Sequence, residues 1–422
     1  MVRVNSEVGR LRRVIVQPPG LALERMLPGH ISPESEGYLL FDDLIHLPQA
    51  REEHDQLRDV LETVAEVLLL EDLVAQVVDE PDDRRAVLDD LARLYPLPDV
   101  HLRTMEGLES EDFAQSLIVG TVGGGLEDPE LFPPLPNLIF TRDLGAALGE
   151  LFVVGNARKP ARRRETVLFW NVVEHHPLFE GVRVSATSHH VRQWQRHAPL
   201  TLEGGDVLVI SSSLALIGAS ERTTWSMILA LAAELLDAGF SRVLVVEMPK
   251  KRSSMHLDTV FTMVDWDLGV VFQPLLERGG PEEANVIRLS RHEGRMVVDE
   301  VGGDMLDALA LEGHPLASVA CGGGHPVHGP REQWTDGANY VALGPGVVVG
   351  YARNTHTARE MSKVGFRVMS TPSFLEEFER DFHGDPDALF ASGRRYAVHI
   401  VGSELSRGRG GPRCLTLPLL RE

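Results

Sequence analysis

A strand pattern that recurs at long intervals limits the folds open to this chain. Three β-rich runs end in glycine, a small residue and arginine. Each follows a predicted β-like segment that is opened by a turn (NLIFTRD, EGGDVLVI and DGANYVAL) and leads into a helical stretch. The runs are ELFVVGNAR (150–158), LALIGASER (214–222) and GVVVGYAR (346–353). The first two glycines lie 63 residues apart, and the third follows 132 residues later, about two such periods. This repeat predicts ββαβ modules stacked beside one another.

The same pattern predicts the number of modules. The run LRRVIVQPPG and the helical stretch REEHDQLRDVLETVAEVLLL form a first copy. A hairpin-like run at 256–273, HLDTVFTMVDWDLGVVFQ, fills the wide gap between the second and third glycine-ended runs. About five modules in a ring or fan result. Chance similarity among hairpins is the alternative interpretation.

One segment breaks the repeat. Residues 72–130 contain short amphipathic helical patterns separated by proline and glycine, which predicts a helical insertion after the first module. The expected organisation is therefore an α/β domain of residues 1–71 and 131–422, with residues 72–130 inserted into it.

The composition argues against several classes of protein. With a net charge of -21, the 422-residue chain lacks the basic surface that general nucleic-acid binding requires. It has no apolar run of about 18 residues, so we expect no membrane partner, and its first residues lack an apolar signal core. Two cysteines, Cys321 and Cys414, fit a reducing compartment, so we expect a cytoplasmic protein.

Four polar motifs lie at predicted strand ends or turns, where functional sites are usually built. Each one alone is typical of a structural turn. A ring of modules, however, would bring corresponding positions together on one axis. The motifs are PNLIFTRD with Asn137, Phe140 and Asp143, LEGGD with Glu203 and Asp206, MHLDT with His256 and Asp258, and RGRGGPRC with Cys414.

The residue types point to covalent chemistry on a cationic substrate. A thiolate beside a histidine is a nucleophile with an acid–base partner. Several buried carboxylates repel one another unless a cation lies among them, and a guanidinium offers paired N–H donors to them. A zinc site is the rival interpretation, but the chain lacks local ligand spacings such as CxxC or HExxH around these residues.

A second group of possible metal ligands lies in CGGGHPVH, with Cys321, His325 and His328. Glycine-rich histidine loops are more often surface turns, so we expect Cys321 to be a structural or incidental thiol. In the C-terminal motif, we expect Arg407 and Arg413 to pair with solvent or an internal acid. One interpretation of PARRRE (160–165) is a partly solvated helix start with only Arg162 directed inward.

Taken together, the motifs resemble those of the bacterial arginine deiminase family, within the guanidine-modifying superfamily of pentein fold. The resemblance runs nearly end to end and implies a pseudo-fivefold α/β propeller of ββαβ modules with a small helical insertion after the first. It also implies hydrolysis of L-arginine by water to L-citrulline and ammonia, with neither metal nor organic cofactor. The motifs that carry it are VNSEVGRLRRVIVQPPG, LLFDD, PPLPNLIFTRD, PARRRE, LEGGDV, GASERT, MHLDTVF, REQWTDGANYVALGPGVVVGYARNT and GSELSRGRGGPRC.

The resemblance further implies roles for single residues. The catalytic set is Cys414 as the nucleophile that forms a covalent S-alkylthiouronium, His256 as general acid and base, Asp143 and Asp258 as guanidinium-binding carboxylates, and Glu203 as the acid beside the histidine. The substrate-binding set is Asn137, Arg162, Arg222 and Arg409 for the amino-acid carboxylate, Phe140 against the guanidinium, Asp206 completing the histidine site, and Leu40 on a loop that closes over the substrate.

Other functions stay open from sequence alone. A hydrolase or amidinotransferase acting on another guanidino compound would share most of these motifs, and so would a non-catalytic arginine-binding protein. Agmatine has no carboxylate, so the presence of Arg222 and Arg409 favours a free amino acid. A binding protein would need no thiol at Cys414. Family members are commonly dimers or larger, so we expect a homo-oligomer.

Overall fold

Apolar runs between turn residues form five small sheets in the computed structural model, which describes residues 1–95, 97–192 and 200–422. Within these ranges the strands are β1 (Leu11–Val16), β2 (Glu66–Leu69), β3 (Gly145–Leu148), β4 (Leu151–Val154), β5 (Arg183–Val184), β6 (Val207–Ser211), β7 (Leu214–Ala219), β8 (Arg242–Glu247), β9 (Phe261–Asp265), β10 (Leu268–Val271), β11 (Val286–His292), β12 (Arg295–Val301), β13 (Ala317–Ala320), β14 (Val341–Gly344), β15 (Val347–Tyr351), β16 (Phe366–Ser370), β17 (Arg395–Ile400) and β18 (Leu417–Arg421). Central strands such as β4 and β7 are buried along their whole length, which matches their continuous apolar sequences.

The five mixed sheets share one pairing pattern. In each, an antiparallel pair is extended by a parallel strand, in the orders β18-β1-β2, β3-β4-β5, β6-β7-β8, β9-β10-β13 and β14-β15-β17. The hairpin β11–β12 widens the third sheet beyond β8, and β16 widens the fifth beyond β17. The first sheet joins the last strand of the chain to the first, so both ends of the chain complete one unit.

Neighbouring sheets touch through their outer strands and the turns before them. Strand β18 lies against β3, β9 against β14, and β14 against β1. The second, third and fourth sheets meet through three short 3-10 turns, Thr141–Leu144, Gly204–Asp206 and Leu257–Thr259, the middle of which contacts both others. Each sheet therefore contacts two others.

Helices connect the strands within each unit, as the periodic apolar patterns predict. A group of short helices, α3 to α6, lies in the segment where sequence analysis predicted an insertion; α4 begins with a proline, and α6 ends at Gly120, whose φ of 85° favours glycine. The helices are α1 (Leu21–Glu24), α2 (Leu47–Glu62), α3 (Leu70–Asp79), α4 (Pro81–Ala92), α5 (Asp99–Glu106), α6 (Ser110–Val119), α7 (Arg163–His175), α8 (Trp225–Asp237), α9 (Gln273–Leu276), α10 (Met305–Leu311), α11 (His328–Trp334), α12 (Thr355–Lys363), α13 (Thr371–Phe382) and α14 (Pro386–Ala391).

One predicted β-like segment is wrong. The run NLIFTRD forms two consecutive 3-10 turns, Pro136–Ile139 and Thr141–Leu144, and the strand begins only at Gly145. Proline at the first helical position has a fixed φ suited to a helical turn, and Phe140 between the turns has φ -88° and ψ 68°, which is not extended. An apolar run of this length does not distinguish a buried turn from a buried strand.

The start of PARRRE also differs from expectation. Sequence analysis considered a partly solvated helix start with only Arg162 directed inward. In the structure both Arg162 and Arg164 are buried, and Arg164 lies over the ring of Phe132 at 4.5 Å. The guanidinium of Arg164 thus packs against an aromatic ring, where sequence analysis expected contact with solvent.

None of the helices within the described residues combines the length and the apolar character needed to cross a bilayer.

Leu417 tests the closure between the two ends of the chain. It pairs with Ile15 of β1, is 0% exposed and lies in the hydrophobic core. We expect Leu417→Ala to lower the free energy of unfolding by about 2–5 kcal/mol in urea denaturation, because it removes buried methyl groups and leaves a cavity. Leu311→Ala, at a side chain that is 68% exposed, is the control and should change stability by less than about 0.5 kcal/mol. An equal loss of unfolding free energy in Leu417→Ala and Leu311→Ala would contradict the described packing of β18.

Candidate active site

Turns that precede the outer strands of neighbouring sheets bring polar side chains to one place. Thr141–Leu144 leads into β3, Gly204–Asp206 into β6, and Leu257–Thr259 into β9. The C-terminal loop leads into β18 in the same way. The predicted residues on these turns or directly before them are Asp143, Glu203, Asp206, His256, Asp258 and Cys414.

A cavity of about 20 Å³ lies where these segments meet. Such a volume holds about one water molecule, so a larger ligand enters only when the lining moves. Glu203 and Asp258 lie behind the lining and contact His256 and Cys414. The predicted residues that line the cavity are Leu40, Asn137, Phe140, Asp143, Arg162, Arg222, His256, Arg409 and Cys414.

Gly205 explains the glycine pair in LEGGD. A Cβ atom at this position would lie 2.8 Å from Nδ1 of His256 and 3.0 Å from Oδ1 of Asp143. The backbone N–H of Gly205 donates to the same Asp143 oxygen at 3.3 Å. The glycine therefore allows the backbone to approach both groups closely, and a side chain here would separate the acid from the histidine.

His256 is surrounded by acids. Its Nε2 lies 2.9 Å from Oε2 of Glu203, and its Nδ1 lies 3.7 Å from Oδ1 of Asp143. Burial alone would lower the pKa of His256. The carboxylate of Asp143, the hydrogen bond with Glu203 and the charge of Asp206 outweigh burial and raise the pKa to about 9. At neutral pH the imidazole is therefore protonated and available as an acid.

Glu203 is fully buried and balanced by cations. Nη1 of Arg222 lies 3.2 Å from its Oε2, and Nη1 of Arg162 lies 3.6 Å away. Burial would raise the pKa of Glu203, but Arg222 and the hydrogen bond with His256 hold it well below its usual range. Glu203 is therefore a fixed negative charge beside the histidine.

Arg162 pairs with acids in this structure. Its Nη1 contacts Oδ2 of Asp143 and its Nη2 lies 2.8 Å from Oε2 of Glu165. Its Nη2 also donates to the carbonyl of Asn137 at 3.2 Å. A guanidinium thus already lies on Asp143 in a site whose carboxylates suit guanidinium groups.

Asp206 holds the histidine segment in place. Its Oδ1 accepts from the backbone N–H of Leu257 at 2.9 Å, and its Oδ2 accepts from the hydroxyls of Ser220 and Thr223, both at 2.6 Å. Burial raises the pKa of Asp206 to about 7 against the effect of His256 and these hydrogen bonds. Its contacts make it a structural support for His256.

Cys414 is a buried thiol, 3% exposed, among carboxylates. Its Sγ lies 3.6 Å from Oδ2 of Asp258, and its backbone N–H donates to Oδ1 of Asn339 at 3.1 Å. Burial raises the pKa of the Cys414 thiol well above its usual range. The carboxylates of Asp258, Asp143 and Asp336 act in the same direction. The thiol form is therefore favoured until a cation enters.

The segment around Leu40 closes the cavity. The carbonyl of Leu39 accepts from Nδ2 of Asn137 at 2.7 Å, and that of Leu40 accepts from Nη2 of Arg252 at 2.5 Å. Arg252 also donates to Oδ1 of Asp42 at 2.8 Å. Leu40 has a φ of 68°, an uncommon conformation for a residue other than glycine. Arg252 thus fastens this segment over the site.

Arg409 lines the cavity, and its buried guanidinium is held by Trp334. Its Nη1 donates to the carbonyl of Trp334 at 2.6 Å, and its guanidinium carbon lies 3.6 Å from the centroid of the Trp334 ring. Arg407 of the same loop pairs with Asp43 and Glu404, so its predicted acidic partner is confirmed.

Asp143, Glu203 and His256 also offer ligand atoms within 4.8 Å of one another, a spacing that suits a metal ion. Arg162 and Arg222 already balance both acids at this point. This charge balance favours guanidinium groups over a metal.

The second candidate metal group is not assembled. Cys321 is buried against Thr357, and burial raises its pKa to about 12. His325 and His328 lie on the surface, where His328 stacks on His356 at 3.7 Å. The expected structural thiol and surface turn are both found.

Sequence analysis missed several residues around the cavity. Arg252, Met255 and Gly408 line it, and Asn339 fixes the backbone of Cys414. Arg252 lies only four residues before His256, and this short separation indicated that it lies near the cavity. Its partners are more than 200 residues away in sequence, so pairing was not predictable from spacing.

Comparisons with known proteins agree with this geometry. A family model described as arginine deiminase matches residues 37–111 and 124–421. The chain is 32% identical over 444 residues to the arginine deiminase of Latilactobacillus sakei, covering 100% of this chain and 98% of that protein.

Two solved structures share the fold at low sequence identity. SxtG, an amidinotransferase from Microseira wollei in the saxitoxin biosynthetic pathway, matches with a TM-score of 0.54 and 11% identity, over 100% of this chain and 98% of that one. Unliganded AgrE matches with a TM-score of 0.52 and 14% identity over 98% of this chain, which spans 40% of the AgrE chain.

The contacts of Arg252 generate a prediction about access to the thiol. Arg252→Ala should speed alkylation of Cys414 by iodoacetamide, roughly 10-fold, because it frees the carbonyl of Leu40 and the carboxylate of Asp42. Peptide mapping by mass spectrometry follows the reaction. The control is Lys251→Ala, since Lys251 binds Glu282 at 2.8 Å and does not contact this segment. An unchanged rate in Arg252→Ala would mean that Arg252 does not hold the site closed.

Proposed function

Since this chain belongs to the arginine deiminase family, an enzyme family that hydrolyses L-arginine to L-citrulline and ammonia, we propose that Cys414 and His256 carry out that reaction here. The chain is a hydrolase that acts on a linear amidine. The observation that supports the residue assignment is the meeting of a thiol, a protonated histidine and three carboxylates at one closed cavity.

Asp143 and Asp258 bind the substrate's guanidinium. Arg162 lies on Asp143, so an arginine guanidinium that takes this place releases Arg162. Once displaced, Arg162 joins Arg222 at the amino-acid carboxylate. Both are buried near the cavity, and a permanently charged fork suits a carboxylate.

The remaining binding residues close the site. Phe140 packs against the guanidinium, Asn137 and Arg409 complete the carboxylate contacts, and Leu40 covers the substrate. The bond from Asn137 to Leu39 supports a role in linking substrate and cover. Arg409 has to turn away from Trp334 to reach the carboxylate.

Binding of the substrate's guanidinium favours ionisation of the Cys414 thiol. Three carboxylates hold the pKa of Cys414 high, and a bound guanidinium offsets their charge, so the thiol releases its proton to solvent water as the substrate binds. Because His256 is already protonated, it keeps its own proton for the next step.

The chemistry then proceeds in two halves. The Cys414 thiolate attacks the guanidinium carbon and forms a C–S bond while His256 gives its proton to the departing nitrogen, which leaves as ammonia. An S-alkylthiouronium remains. His256 then takes a proton from water, and the resulting hydroxide attacks the same carbon. The C–S bond breaks while the new hydroxyl gives its proton to solvent, which releases citrulline and leaves the thiolate and a protonated His256.

We also propose the pseudo-fivefold α/β propeller of ββαβ modules, with residues 1–71 and 131–422 as the catalytic domain and residues 72–130 as a helical insertion. The repeated pairing of the five sheets, and the contact of each sheet with two others, support it. The two free cysteines support a cytoplasmic location. Homo-oligomerisation, as a dimer or larger, rests on the family resemblance.

Substrate choice is the first test of this proposal. Purified protein should convert L-arginine to citrulline and ammonia and leave agmatine nearly unreacted, because agmatine lacks a carboxylate for Arg222 and Arg409. Cys414→Ser should lower kcat by roughly 10⁴-fold or more, and Cys321→Ser is the matched control that should keep activity. Faster turnover of agmatine would favour another guanidine hydrolase, and equal rates for wild type and Cys414→Ser would rule out the assigned nucleophile.

The pH dependence of kcat/KM tests the role of His256. The reaction needs His256 protonated, so kcat/KM, which reports the free enzyme, should fall as pH rises through about 9. Glu203→Gln removes a charge that stabilises the imidazolium, so the alkaline limb should move to lower pH. Glu221→Gln is the control, since Glu221 pairs with Lys159 and does not touch the histidine. An alkaline limb that stays in place in Glu203→Gln would contradict the assignment.

A further inference from the structure

Arg413, directly before Cys414, is one of the most deeply buried arginines of the described chain, at 1% exposure. Its Nε donates to Oε2 of Glu7 at 3.0 Å, its Nη1 to Oδ2 of Asp258 at 2.7 Å, and its Nη2 to the carbonyl of Val207 at 2.8 Å. Each guanidinium nitrogen therefore has a buried acceptor, and two of these acceptors are carboxylates. Family resemblance implied no role for Arg413 or Glu7.

Glu7 is also held by Val209, through its second carboxylate oxygen and its backbone N–H. Its Oε1 accepts from the backbone N–H of Val209 at 3.1 Å, and its own N–H donates to the carbonyl of Val209 at 2.7 Å. Burial would raise the pKa of Glu7, but Arg413 and Arg142 outweigh burial and lower it to about 2. Glu7 is thus an ionised and immobile anchor for Arg413.

The two oxygens of Asp258 have different surroundings. Oδ2 accepts from Arg413 and lies 3.6 Å from Sγ of Cys414. Oδ1 is buried and has no hydrogen-bond partner anywhere in the part of the chain that the structure describes. A buried carboxylate oxygen without a donor is costly, and a substrate N–H would satisfy it.

We propose that Glu7 and Arg413 are a positioning pair for Asp258: Glu7 anchors the guanidinium of Arg413, which holds Oδ2 beside the thiol and leaves Oδ1 for the substrate's guanidinium. This inference rests on the proposed function of Asp258 and Cys414. Arg413 touches no reacting atom. It acts through the orientation of Asp258 and through its positive charge near the thiol.

Two substitutions of Arg413 separate its effect on the orientation of Asp258 from the effect of its positive charge on Cys414. A lysine keeps the charge but does not donate to two carboxylates and a carbonyl in a fixed plane. A glutamine loses the charge, which is the contribution of Arg413 that opposes the carboxylates of Asp258, Asp143 and Asp336 around Cys414. Arg413→Lys therefore tests orientation, and Arg413→Gln tests both.

The experiment uses full-length protein with Arg413→Lys, Arg413→Gln, Glu7→Gln and the control Arg421→Lys. Arg421 is also 1% exposed, but its guanidinium donates to the carbonyls of Gly9 and Ala342 and not to Asp258. Two readouts are measured: steady-state kcat and KM with L-arginine, and the pH dependence of Cys414 alkylation by iodoacetamide, with peptide mapping to separate Cys414 from Cys321.

The proposal expects a distinct result for each variant. Arg413→Lys and Glu7→Gln should lose roughly 10–100-fold in kcat, as for other changes that disorient a site residue from behind. Arg413→Lys should keep the alkylation midpoint, whereas Arg413→Gln should move it to higher pH. Arg421→Lys should stay within about 3-fold of wild type in kcat if folded.

Two outcomes would overturn the pair. One is a kcat in Arg413→Lys and Glu7→Gln equal to that of Arg421→Lys; the other is an alkylation midpoint that is the same in Arg413→Gln and wild type. If an Arg413 variant does not fold by circular dichroism, Glu7→Gln, which leaves Arg413 in place, decides. A wild-type protein inactive on arginine would refute the proposed function instead, and the alkylation midpoints would still test the effect of Arg413 on the thiol.

Discussion

The rest of the site depends on the balance of buried charge around three carboxylates. Asp143, Glu203 and Asp258 are all taken out of water, and desolvation of a carboxylate costs several kcal/mol unless a partner compensates it. Arg162 and Arg413 supply buried cations, and so does the protonated His256 nearby. The three acids and His256 lie on or directly before turns that lead into outer strands, and Arg413 lies in the loop before β18. Arg162 comes from the turn before α7.

The protein's own cations compensate the acids around the cavity. Arg162 lies on Asp143, and the cavity has room for about one water. The raised pKa of Cys414 favours its protonated thiol. In the proposed function, the substrate's guanidinium replaces Arg162 on Asp143 and offsets the negative charge of the acids beside the thiol. Substrate binding therefore both releases Arg162 and favours the Cys414 thiolate.

Periodicity, a local signal, predicted the strand-rich units, and motif chemistry predicted five residues of the cavity lining: Asn137, Phe140, Asp143, His256 and Cys414. The family resemblance added Leu40, Arg162, Arg222 and Arg409, and it implied the roles that spacing alone left open. It did not predict that Arg162 would lie on Asp143, since that contact depends on the three-dimensional balance of buried charges. Nor did it predict the turns of NLIFTRD, because a buried 3-10 turn and a short buried strand have the same apolar pattern.

The first and last strands of the chain meet beside the site. Strand β18 pairs with β1, and Glu7, four residues before β1, binds Arg413, four residues before β18. The position of the Cys414 loop therefore depends on contacts between the two ends of the chain, which are very far apart in sequence. Loss of Glu7 from its place beside Val209 would remove a partner from Arg413 and so loosen the orientation of Asp258. The link between the terminal sheet and the thiol thus runs through Glu7 and Arg413, while Arg421 of the same sheet binds only backbone carbonyls away from Asp258.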